Sequence, residues 1–158
     1  MNPILKLLDR ADLLTLGFGT TAAMWAVGYV CRIPPVFVPS AVLLVLLLVC
    51  LLAGGYLAGR YTPLGWRGGL YTGLISSTLN LLILGSLLTG DAPNRIVPSA
   101  LLWIPGSYLV SGLAAAAGAA IAGPYTQTAT PPWTALYART AAVATFFLIF
   151  IGGLVTSH

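Results

Sequence analysis

Five apolar stretches follow one another along this chain, residues 13–30, 36–59, 69–88, 99–122 and 140–156, and no ionisable side chain lies deep inside any of them. Each has about the length needed to cross a hydrocarbon core of roughly 30 Å, the first and last being close to the lower limit. A segment in lipid must satisfy its own backbone hydrogen bonds, which for successive single spans means an α-helix. The predicted fold class is therefore all-α, an integral membrane bundle of five transmembrane helices. The breaks between spans carry the expected residues: Pro34 and Pro35, then 62–65, then 90–94, then a longer segment, 123–132.

Charge decides which other classes are excluded. Seven Lys and Arg, three Asp and no Glu cannot cover a soluble globule of 158 residues, so a soluble globular enzyme is ruled out. The net charge of +4 is spread over single basic residues and forms no stripe that could track a phosphate backbone, so nucleic acid is not an expected partner. Cys31 and Cys50 lack the close spacing of a zinc site, and two cysteines make no disulfide framework. Lys6 and Arg10 precede the first stretch as in a secretory signal. However, Asp9 and Asp12 dilute that flank, the apolar run is too long, and more membrane sequence follows.

Basic residues set the expected orientation. With a cytoplasmic N-terminus, Lys6, Arg10, Arg60, Arg67 and Arg139 fall inside, against Arg32 and Arg95 outside. That distribution predicts N-in and, after five spans, a C-terminus outside, in a bacterial inner membrane. Tyr29, Tyr56, Tyr61, Trp66, Tyr125, Trp133 and Tyr137 all fall near expected interfaces, where amphipathic rings are stable.

The chain also matches itself. Val38-Pro39-Ser40-Ala41-Val42-Leu43 returns as Val97-Pro98-Ser99-Ala100-Leu101-Leu102, each copy opening an even-numbered helix after an Arg, Arg32 or Arg95. Helices one and two and helices three and four read as a tandem duplicated hairpin, with a pseudo-twofold axis along the membrane normal. A proline-serine helix opening is common enough to produce the same match without duplication. The Thr- and Pro-rich segment 126–132 separates a four-helix module, 1–126, from a linker and last helix, 127–158.

Residues able to carry chemistry are scarce. The most polar interior run is Ser76-Ser77-Thr78-Leu79-Asn80, where Asn80 is expected to bond a neighbouring helix in preference to a substrate. Gly55 with Gly59, Gly69 with Gly73, and the small residues 112–120 are expected to mark close helix contacts. Pro105 is expected to kink the fourth helix. Hydrolytic or oxidative catalysis needs a positioned base, nucleophile or metal, and Ser and Thr here lack a His or carboxylate partner. Met24, Cys31 and Cys50 fall in or beside the first two spans, whereas the one His, His158, is the last residue and is not expected to hold a haem. No catalytic, cofactor-binding or metal-binding residue is assigned.

The segment from Tyr137 to His158 resembles the first transmembrane helix of the heme A synthase family, the cytochrome oxidase assembly proteins. The resemblance rests on a basic residue at the inner face, Arg139, and an apolar helix ending in Gly152-Gly153-Leu154-Val155-Thr156. It covers roughly the last sixth of the chain. It implies an eight-helix haem-dependent oxidoreductase that converts heme O to heme A, with His pairs as haem ligands and an acidic residue in the first outer loop. None of those ligand or acidic positions falls within these 158 residues, so no functional residue is carried over. The expectation is a truncated product, catalytically inert by itself, whose first four helices extend a heme A synthase-like domain; its partners would be the lipid bilayer, cytochrome oxidase assembly factors or heme O. The alternative is a complete, stand-alone membrane subunit or transporter-like protein without catalytic activity, its pathway near Asn80.

Overall fold

The computed structural model describes residues 10–33, 38–84, 100–125 and 131–156. They form five helices and, among the described residues, no strand: α1 (Ala11–Val30), α2 (Ser40–Tyr61), α3 (Trp66–Leu84), α4 (Ala100–Ile121) and α5 (Trp133–Thr156). Lys6, Asp9, Asp91, Arg95, His158 and the start of the second repeat copy, residues 97–99, lie outside the described residues, as does 126–130 of the linker. Two helices begin earlier than the apolar runs suggest. α3 starts at Trp66 and α5 at Trp133, because Arg67 and Arg139 end an apolar run without ending a helix. What breaks the chain before α5 is Pro131-Pro132, after which the Leu136 amide donates to the Pro132 carbonyl at 3.0 Å.

Four helices, α1, α2, α4 and α5, are long and apolar enough to cross a membrane. The fifth, α3, is more polar because it carries Arg67, three glycines and the run 76–80, and it packs against α1, α2 and α4. The bundle is a diamond. α2 and α3 touch across its short diagonal, α1 and α4 occupy opposite corners, and α5 stands outside with α1 as its neighbour. Residue pairings fix the directions: Thr21 meets Ser76 and Trp25 meets Asn80, so α1 and α3 are parallel, whereas Ser77 meets Ser107, Gly73 meets Ser111 and Gly69 meets Ala115, so α4 is antiparallel to α3.

Large and small side chains are distributed as lipid requires. Leu102, Leu82, Ile121 and Leu148 are 78%, 74%, 74% and 71% exposed, whereas the largest fully buried side chains are Leu13, Thr62, Thr72, Ser76 and Ser77. A water-soluble fold would hide the leucines and show the hydroxyls. In a bilayer, leucine gains nothing by leaving the tails, so helices associate through close backbone approach and interhelical hydrogen bonds.

Both glycine pairs sit on α4. A Cβ added at Gly55 or Gly69 would collide with the Ala115 carbonyl, one at Gly73 with that of Ser111, and one at Gly59 would lie 2.5 Å from that of Ala119. Two helices thus converge from different sides on one turn of the third. Gly118 returns the arrangement, facing the Leu52 backbone of α2. The α2–α3 turn that permits this is short. Thr62, extended before Pro63, caps α2 with its amide and hydroxyl on the Ala58 carbonyl (3.0 and 2.7 Å), and Gly65 takes φ +54°.

Candidate functional site

Two features could bear function: a belt of polar side chains across the interior, and a lateral groove. The belt is centred on the run singled out in α3. The Thr21 hydroxyl reaches the Gly17 carbonyl at 2.9 Å and the Ser76 hydroxyl at 3.0 Å. Ser76 donates to the Met24 sulfur at 3.7 Å. Asn80 accepts from the Trp25 indole N–H at 2.9 Å, and its amide nitrogen donates to Met24 Sδ at 3.7 Å. On the other side of α3, Ser77 donates to Ser107 at 3.2 Å, Ser107 donates to the Ile104 carbonyl at 2.8 Å, and Thr78 shares a 3.0 Å bond with Tyr108.

Asn80 therefore has the interhelical role expected of it, with both ends of its amide taken up by α1. Sequence considers Met24 only as a metal donor, not as a partner of Asn80, and does not single out Trp25 or the α4 pair Ser107 and Tyr108. The available signal was spacing: Thr21, Met24 and Trp25 share one face of α1, as Ser76 and Asn80 share one face of α3. Pro105 lies inside α4, one turn from the belt. One buried hydroxyl, that of Thr72, has no hydrogen-bond partner among the described residues.

The belt's worth can be measured. In a double-mutant cycle of Trp25→Phe and Asn80→Leu, unfolded from detergent micelles, the coupling should be about 0.6–1.7 kcal/mol, the range for hydrogen bonds inside membrane bundles. Additive effects would separate the two side chains.

The groove, with a cavity volume of about 590 Å³, lies between α2 and α5 on a floor made by α1. Gly19 and Ala23 form the floor, Ala53 and Leu57 one wall, Leu136 and Thr140 the other. Hydroxyls along it are spent locally: Thr20 bonds the Leu16 carbonyl at 2.7 Å, Thr140 the Leu136 carbonyl at 2.9 Å, and Thr15 the Ala11 carbonyl at 2.6 Å. The surface left for a ligand is apolar. One end is closed by Tyr61 and Trp133, edge to face with ring centroids 6.5 Å apart.

That closed end is also where the guanidinium groups gather. Arg10 precedes α1, Arg60 lies in the last turn of α2, Arg67 in the first turn of α3 and Arg139 in the second turn of α5, all at one end of the bundle, with Arg32 at the other. Arg10 is paired with Asp12 at 2.7 Å, and this hydrogen bond raises its pKa from the ordinary arginine value. Arg67 lies over the Trp66 ring at 5.6 Å.

Cofactor capacity follows from the donors. Among the described residues no three His, Cys, Asp or Glu side chains come together. Met24 is engaged by Ser76 and Asn80, Cys31 is buried at the end of α1, and Cys50 is the only thiol on the groove. No family model matches the chain, and neither a curated protein nor a solved structure shows significant similarity to it.

Proposed function

We propose that the chain is the non-catalytic membrane module of a cytochrome oxidase maturation protein, a four-helix bundle that carries α5 as the opening helix of a heme A synthase-like domain. The observation that carries this reading is how α5 is attached. Its contacts to α1 are concentrated in its first two turns: the Trp133 carbonyl lies 3.2 Å from the Thr15 hydroxyl, Tyr137 packs on Phe18 at 5.5 Å, and Thr140 approaches Gly19. No residue from Trp133 to Phe150 is buried, and Phe146 and Phe150 stack on each other at 6.4 Å on the exposed surface. A helix held by its base presents its upper length to further helices, as the first helix of a larger bundle would.

In this reading all five helices span an inner membrane. α3 joins two parallel helices and runs opposite to both, and its 19 residues reach about 28 Å, the thickness of a hydrocarbon core. The same reading puts the end that carries the four arginines on the cytoplasmic side, the side on which basic residues accumulate. Duplication of the hairpin is supported by register. Gly55 and Gly59 meet Ala115 and Ala119, an offset one residue from that of the sequence match, so equivalent helices lie side by side at nearly equal depth. The copies have diverged, since α2 touches α3 while α1 and α4 stand apart. A transport pathway at Asn80 gains no support, because the amide is occupied from both ends.

The test is genetic and chemical. Deleting residues 1–126 from the chromosomal copy and extracting membrane haem should lower the ratio of heme A to heme O and the amount of assembled oxidase. An unchanged ratio with normal oxidase would overturn the assignment.

A further inference from the structure

Four guanidinium groups lie at one end of the bundle, and they are not equivalent. Arg10 is neutralised by Asp12 and Arg67 is stacked on Trp66. Arg60 and Arg139 are exposed and join no ion pair among the described residues. Those two stand on the helices that form the two walls of the groove, each next in sequence to a lining residue. Arg60 precedes Tyr61, the aromatic that closes the groove from α2, and projects on the Ala53 side of that helix. Arg139 precedes Thr140, a wall residue of α5, and lies one turn from Leu136. It sits about 9 Å inside the start of α5, deep for a cation beside lipid unless its stem carries the charge back toward the interface or an anion meets it there.

An apolar trough of about 590 Å³ whose threonine hydroxyls are bonded locally, with two arginines on its wall helices that join no ion pair among the described residues, matches one kind of molecule. It needs a hydrocarbon tail to fill the trough and an anionic head to meet the guanidiniums. Arginine pairs with phosphate oxygens through two parallel N–H donors, so a phosphodiester satisfies both arginines better than diffuse counterions do. Small residues at Gly19, Ala23 and Ala53 leave the width that a chain needs, and the Tyr61–Trp133 pair sits at headgroup level.

We propose that the α1–α2–α5 groove is a specific site for one anionic glycerophospholipid, with an acyl chain along Gly19, Ala23 and Ala53 and its phosphate held by Arg60 and Arg139. The lipid fills the gap between α2 and α5 beyond the Tyr61–Trp133 contact, and so fixes the angle at which α5 stands.

The full chain purified in a neutral detergent, titrated with dioleoylphosphatidylglycerol or dioleoylphosphatidylcholine and read by native mass spectrometry, tests this. One phosphatidylglycerol per chain should be retained in preference to phosphatidylcholine by on the order of 20-fold, since each arginine near an anionic surface contributes roughly fivefold. The double variant R60Q/R139Q should bind both lipids alike, whereas Arg67→Gln should keep the preference. Ala23→Phe, which fills the floor from an exposed position, should lower retention of both lipids. Unfolding of each variant without added lipid should match the parent, which separates lost binding from lost fold. Equal retention of the two lipids by the parent chain, or a preference that survives R60Q/R139Q, would overturn the site.

Discussion

Gly55→Val should disassemble the bundle, whereas Gly28→Val should leave it standing. Both positions are helical glycines, and the substitution adds the same three carbons. At Gly55 the first of them collides with the Ala115 carbonyl and the Cα behind it, whereas at Gly28 nothing lies within 4 Å. The Gly55 neighbour cannot rotate away, because it is backbone and because Gly69 presses on the same carbonyl from α3. Overpacking a closed site costs about 1–3 kcal/mol when side chains can adjust, and more when only helix separation can relieve it. In a membrane there is no hydrophobic term to compensate, since helices held apart simply pack against lipid. Unfolding in mixed micelles should show a loss of about 3 kcal/mol or more for Gly55→Val and under about 1 kcal/mol for Gly28→Val. Similar losses at both positions would mean that the glycines act through helix propensity and that the α2–α4 contact is unimportant.

This contrast shows what can be read from sequence and what cannot. The two GxxxG pairs are visible as spacing, and the structure places both in close contacts. Their shared target is not visible, because Ala115 is one of four consecutive alanines and nothing in the sequence distinguishes it from Ala114 or Ala116. Helix existence followed from apolar length, which is a property of one segment. Helix starts at Trp66 and Trp133 were missed because charge was read as a boundary, although a guanidinium on a long stem is compatible with a helical backbone. Asn80 was legible as a polar residue needing a partner. The identity of that partner depends on the rotation of α1, which spacing narrows to faces without choosing among those of Thr15, Thr20 and Thr21. The groove is less legible still. It exists because α5 and α2 both lean on α1 and meet at its closed end through Tyr61 and Trp133, a property of three helices together, and its lining of Gly, Ala, Leu and Thr is the composition of the whole chain.

Leu109→Arg is the substitution that distinguishes lipid from water as the surrounding medium. Leu109 lies near the middle of α4, is 61% exposed, and touches the outside of the bundle only. In water, exchanging an exposed leucine for arginine is close to neutral, within about 0.5 kcal/mol, and improves solubility. At the centre of a membrane-spanning helix the same exchange costs about 3 kcal/mol on insertion scales, a change of more than a hundredfold in the inserted fraction. Arginine on Arg60's pattern escapes this cost because it stands in the last turn of its helix, within reach of the headgroups. From the middle of α4 the stem must cross more than half a leaflet. The measurement is the fraction of the substituted helix, α4 for Leu109 and α2 for Arg60, integrated in a membrane-insertion assay, supported by carbonate extraction of the full chain. Leu109→Arg should fall far below the parent, while Arg60→Leu should integrate as well as the parent does. Full integration of Leu109→Arg would require α4 to face water, and with it the exposed Leu102, Leu113 and Ile121 on the same helix. The placement of hydroxyls inside and leucines outside would then have no physical cause.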